Sequence, residues 1–120
     1  MFLKKGEATT ILLGPFVDST GTPQTSLTIS ASEVLLSKNG GDFAAKHDDT
    51  DLVNKGNGYY LCSLDATDTS TYGKLEISVQ KTGCLPFFRT CYVVNATAYR
   101  YLFSDAGDNL DLILRVVQAE

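Results

Sequence analysis

No stretch of the 120-residue chain approaches the ~18 consecutive apolar residues that a membrane-spanning helix needs, so no such helix is expected. The opening residues, Met1-Phe2-Leu3-Lys4-Lys5-Gly6-Glu7, lack the apolar core of a signal peptide, and synthesis and folding in a cytoplasm are expected. Positive charge is scarce. Lys and Arg total 10 against 14 Asp and Glu, without a basic run of the kind that a phosphate backbone attracts. Neither nucleic acid nor an anionic membrane is therefore an expected partner. Cysteine is limited to Cys62, Cys84 and Cys91. An odd number, without a secretion signal, points to free thiols, and the absence of CxxC spacing argues against zinc.

Histidine is scarcer still. His47 is the only one, and it lies in a polar segment away from every cysteine. Ser–His or Cys–His catalysis requires the imidazole beside its nucleophile, so that chemistry has little to build on. No GxSxG elbow or P-loop occurs; Lys38-Asn39-Gly40-Gly41 lacks the lysine-and-hydroxyl ending that a P-loop requires. His47 with Asp48, Asp49 and Asp51 has neither the central glycine nor the terminal glutamate of a calcium loop, and reads as a solvated surface loop. The carboxylates of Asp65, Asp68, Asp105, Asp108 and Asp111 fall at turns or helix caps, where aspartate needs no catalytic explanation. The expectation is a protein that is not an enzyme, with no catalytic residues, cofactor or metal.

What the sequence has is β-strand pattern and turns. Its 43% hydrophobic and 20% charged content is that of one globular domain with an ordinary core. Lys74-Leu75-Glu76-Ile77-Ser78-Val79-Gln80-Lys81 alternates strictly, putting Leu75, Ile77 and Val79 on one face of a half-buried strand. Asn39-Gly40 favours the positive φ of a tight hairpin turn, between a strand ending near Lys38 and an alternating segment after it. Residues 9–13, 27–29, 59–64 and 86–94 are further β-prone runs. Pro15 interrupts the first and belongs at an edge or bulge. Asn54-Lys55-Gly56-Asn57-Gly58 reads as a turn cluster, and residues 65–73 as a crossing between sheets.

Asn95 suits the N-cap of a short helix, with Tyr99, Leu102 and Phe103 on one face. Asn95-Ala96-Thr97 also matches a glycosylation sequon, which has no meaning in a cytoplasm beyond a good helix start. The aromatic residues Tyr59, Tyr60, Phe87, Phe88, Tyr92, Tyr99, Tyr101 and Phe103 divide between core and a possible binding surface. Tyr60 and Phe88 each follow another aromatic residue, so one of each pair must face outward or into a subunit contact.

The expected fold is all-β: an Ig-like antiparallel β-sandwich of about seven strands with one short helix near residues 95–103. Residues 1–8 form an N-terminal arm, 9–103 the sandwich, and 104–120 a C-terminal strand. That last segment, with Leu110-Asp111-Leu112-Ile113-Leu114-Arg115-Val116-Val117, is apolar at nearly every position and suits exchange between subunits.

Particular strings carry a family likeness. Met1-Phe2-Leu3-Lys4-Lys5 and Leu13-Gly14-Pro15-Phe16-Val17-Asp18-Ser19-Thr20 resemble the opening of a group of small tailed-bacteriophage structural proteins. The likeness continues through Leu27-Thr28-Ile29, Leu36-Ser37-Lys38-Asn39-Gly40-Gly41 and Gly58-Tyr59-Tyr60. It is densest at Leu64-Asp65-Ala66-Thr67-Asp68-Thr69-Ser70-Thr71-Tyr72-Gly73-Lys74-Leu75 and Gly83-Cys84-Leu85-Pro86, and resumes at Val94-Asn95-Ala96 and Tyr99. The resemblance spans roughly residues 1–103 and implies a virion-associated Ig-like domain. Members of that group often continue into fibre-like regions, whereas this chain ends at Glu120. A compact capsid-decoration, stapling or head-attached subunit is thus the leading expectation. A tail baseplate or fibre-attachment component is the alternative, and a carbohydrate-binding module for host adhesion a third. Expected partners are phage capsid or tail proteins and further copies of the chain in a homo-oligomer, with a glycan as a further candidate. Phe2, Leu3, Leu112, Leu114 and Val116 are the expected interface residues.

Overall fold

In the computed structural model, residues 1–103 are described, the backbone alone for Phe103. Eight strands, a short 3-10 helix (Ala31–Glu33, before β3) and one α-helix follow in order: β1 (Phe2–Lys4), β2 (Thr9–Leu13), β3 (Val34–Lys38), β4 (Ala44–Ala45), β5 (Val53–Gly56), β6 (Tyr59–Leu64), β7 (Gly73–Val79), β8 (Phe87–Val94) and α1 (Ala96–Phe103). They form two sheets. One has the order β1-β8-β7-β3-β4 and the other β2-β6-β5. All pairings are antiparallel except β1 with β8, where Leu3 lies opposite Val93.

The core lies between the facing sides of the two sheets. Alternation in β7 buries Leu75, Ile77 and Val79, and alternation in β8 buries Cys91 and Val93. Val34 and Leu36 complete that layer. Across from them stand Ile11 and Leu13 of β2 and Tyr60, Cys62 and Leu64 of β6, all in the same apolar cluster. Fully burying each such aliphatic side chain contributes about 1.5–3 kcal/mol. Tyr60 is buried whole, and its hydroxyl is satisfied inside: it donates to Gln24 O at 2.7 Å and accepts from Leu27 N at 3.0 Å. Of the adjacent aromatic pairs, Tyr60 faces in and Phe88 out.

The Asn39-Gly40 turn forms as its sequence predicts. Both residues have positive φ (50° and 83°), and Gly41 N donates to Lys38 O at 3.0 Å. The strand after it is short, because only Ala44 and Ala45 pair with β3. Pro15 follows the end of an edge strand, after a cis Gly14–Pro15 bond. Gly14 lies so close to the β5–β6 turn that a Cβ would meet Gly58 O at 2.8 Å, and its φ of +140° disfavours any other residue. Asn95 caps α1, its Oδ1 accepting the Ala98 N–H at 2.6 Å.

Three expectations change. Residues 1–8 are not a free arm, because Phe2–Lys4 pair with β8 and Leu3 is buried; a three-residue strand is too short to show a period. The 54–58 turn cluster gives its first residues to β5, with a register shift between Asn54 and Gly56. Residues 27–29 form no strand, although Ile29 is buried and its carbonyl accepts the Leu52 N–H at 3.0 Å. The expected C-terminal strand, 104–120, lies outside the described residues.

Candidate functional site

Two regions hold most of the residues singled out above. The first is a polar knot where the segment after β4 meets the corner between β6 and β7. Lys46 follows β4 directly, and its ammonium is fully enclosed. Such a charge needs a complete set of acceptors. Lys46 Nζ has four: Asp48 O (3.1 Å), Asp48 Oδ1 (3.3 Å), Thr50 O (2.8 Å) and Ser63 O (2.9 Å).

Asp68 is its acidic counterpart, 1% exposed. Its carboxylate accepts backbone N–H bonds from His47 (2.7 Å), Asp48 (3.1 Å) and Asp65 (3.1 Å). Asp65 returns the last of these, its Oδ1 accepting Asp68 N at 2.9 Å, which closes the corner as a reciprocal cap. Asp65 Oδ2 also pairs with Nδ1 of the exposed His47 ring. That contact raises the His47 pKa above its ordinary value and lowers that of Asp65. Thr69, buried beside Asp68, donates to Glu7 O at 3.0 Å and ties the segment after β1 to the same corner.

The knot is self-satisfying. Among the described residues no buried side-chain nitrogen or oxygen lacks a partner, and no group of three His, Cys, Asp or Glu could hold a metal ion. The 47–51 segment was expected to be plain surface. Asp49 is indeed exposed, and Asp51 accepts the Ala31 N–H at 2.9 Å. Lys46 and Asp68 were missed as buried charges. Asp48 and Thr50 are local acceptors of Lys46, but the set is completed by the Ser63 carbonyl, which arrives through the fold.

The second region is the outer face of the five-stranded sheet. Residues of β8 that alternate with Cys91 and Val93 point away from the core, and they include Phe88 (58% exposed) and Tyr92 (45%). Register extends Phe88 into a row, Phe88–Ser78–Leu35–Ala45, across β8, β7, β3 and β4. Tyr92 heads another row between Phe2 and Lys74, and the Phe2 and Tyr92 ring centroids lie 6.0 Å apart. A polar row, Thr90–Glu76–Ser37, separates the two. Thr90 Oγ1 donates to Glu76 Oε1 at 2.6 Å, which lowers the Glu76 pKa.

Of the expected interface residues, the structure puts Phe2 on this outer face and Leu3 in the core. Leu3 therefore serves the chain's own packing. Leu112, Leu114 and Val116 lie outside the described residues. All three cysteines are free; Cys62 and Cys91 are buried, and burial pushes the Cys62 thiol up to about 11. No described helix is long and apolar enough to cross a membrane. No family model, no curated protein and no solved structure matches the chain.

Proposed function

We propose that this chain is a non-enzymatic structural subunit of a tailed-phage virion, an Ig-like domain that decorates or staples the capsid or attaches to the head. The observation that carries the docking part of this reading is the exposure of Phe88 and Tyr92 on the outer face of the five-stranded sheet. Aromatic side chains on a rigid sheet lose little conformational freedom on contact and fill partner pockets well. The strand order supports the Ig-like assignment. From β2 onward the chain changes sheets after β2, β4 and β6, and β8-β7-β3 facing β2-β6-β5 fits the connectivity of the sandwich whose sheets are GFC and BED. The particle assignment itself rests on the resemblance carried by the 64–75 and 13–20 strings.

A sugar-binding role has one observation of its own. On the other sheet, Leu12, Pro15, Pro23 and Tyr59 line an open groove of about 560 Å³, with Lys55 and Asn57 at its side. An apolar platform with a few polar groups is a common form of ligand site.

Imaging particles that lack the gene separates these readings. Bare or fragile heads fit the decoration role, and intact heads without tail appendages overturn it in favour of a baseplate or fibre-attachment role. Particles complemented with a Phe88→Asp chain should carry few copies, because the substituted position is exposed and folding is spared. Full occupancy by that variant would sink the proposed docking face. Normal particles that fail to adsorb to their host would favour the sugar reading.

A further inference from the structure

Each sheet has two edges, and an edge strand with open N–H and C=O groups is a template for another strand. Among the described residues, three of the four edges are blunted. β1 has three residues and is packed by α1. β4 has only two. β5 carries Lys55 and a register shift. β2 differs: Thr9-Thr10-Ile11-Leu12-Leu13 has five residues, no charge, no proline and unbroken register with β6.

The orientation of its backbone follows from one contact. Arg89 Nη1, on β8, reaches Leu12 O at 3.5 Å, so that carbonyl faces away from β6. Strand alternation puts the N–H and C=O of Thr10 on the same open side. The Leu12 side chain is 46% exposed, while Ile11 and Leu13 are buried.

We infer that β2 is a homodimerisation edge, pairing antiparallel with β2 of a second copy across a two-fold axis. The segment is self-complementary. Centred on Ile11, the pairing sets Thr10 opposite Leu12 of the other copy, and these two residues exchange the outward hydrogen bonds. No like charges oppose each other in this register, which is the usual penalty for pairing a strand with itself. The buried faces of Ile11 and Leu13 continue as one layer, so the two three-stranded sheets become one six-stranded sheet. Arg89 gives up a long hydrogen bond to admit the partner. The dimer does not depend on the particle assignment.

The test is amide hydrogen exchange of the full chain across a concentration series, alongside light scattering. Expected are a rise to twice the single-chain mass and slowing of Thr10 and Leu12 exchange by about tenfold or more as the dimer fills. Leu12→Lys, at an exposed position, should give a folded monomer with fast exchange at both amides. Leu12→Pro, which removes the outward N–H, should likewise give a folded monomer, with fast exchange at the remaining Thr10 amide. A mass that stays monomeric at millimolar concentration overturns the inference. So does Thr10 and Leu12 protection that is independent of concentration, since the chain itself would then cover the edge. Dimers in which both amides still exchange fast overturn it as well.

Discussion

Asp65 and Asp68 each accept the other's backbone N–H, at 2.9 and 3.1 Å, and so close the corner between β6 and β7. The exchange leaves Asp68 free to take two further donors, the N–H groups of His47 and Asp48. A whole segment after β4 is thereby fastened through one carboxylate.

Removing that carboxylate should be costly. Asp68→Ala strands three backbone donors beneath the surface, and a loss of about 3 kcal/mol or more is expected. Urea melts of the two proteins measure it. A loss below about 1 kcal/mol would show that water replaces the carboxylate without difficulty.

Lys46→Met keeps the length of the side chain and discards its ammonium. The carbonyls of Asp48, Thr50 and Ser63 lose a shared donor, and about 2–4 kcal/mol should go with it. Native Lys46 should also resist amine-reactive labelling that modifies exposed Lys55 and Lys74, a comparison peptide mass spectrometry reads directly. Equal labelling of the three would contradict an enclosed ammonium.

The His47–Asp65 pair makes stability depend on pH, and the sign follows from both partners. The His47 pKa is raised from 6.5, chiefly by its hydrogen bond to Asp65, so its contribution is whole below 6.5 and fades as pH rises through the higher folded value. The Asp65 pKa is lowered from 3.8, chiefly by the same bond, so its contribution is whole above 3.8 and fades as pH falls through the lower folded value. The stability difference between the native chain and His47→Ala should therefore be greatest between 3.8 and 6.5. A difference that grows above neutrality would reverse this assignment.

Thiol chemistry should distinguish the three cysteines. Cys84 is partly exposed, whereas Cys62 and Cys91 lie in the core with raised pKa values. Native protein should react with one equivalent of a thiol reagent, at Cys84, and a Cys84→Ser chain should react on the order of 100-fold more slowly until unfolded. Rapid modification of Cys62 in folded protein would be incompatible with its position opposite Ile11.

Where the sequence was legible, the reason is local. Leu75, Ile77 and Val79 announce their face because a strand with one dry side must alternate. Asn39-Gly40 and Asn95 are legible because a turn and a cap each ask for a particular residue at a particular place. β1 was not, because three residues carry no period and their partner, β8, is remote in sequence. Lys46 was not, because its enclosure is completed by the Ser63 carbonyl, which tertiary structure alone brings to it. The outward choice for Phe88 was legible only as one member of a pair, and the sheet register settled which.

The pairing of β1 with β8 also bears on the order of events during synthesis. Leu3 leaves the ribosome long before Val93, its neighbour in the sheet. Hairpins such as β3–β4 and β5–β6 can close as they emerge, but β1 must wait for nearly the whole described chain. Through that interval Leu3 is an uncovered apolar side chain on an unpaired segment, within reach of any chaperone or neighbouring nascent chain. The first of the described strands to be made is thus among the last of them to be secured.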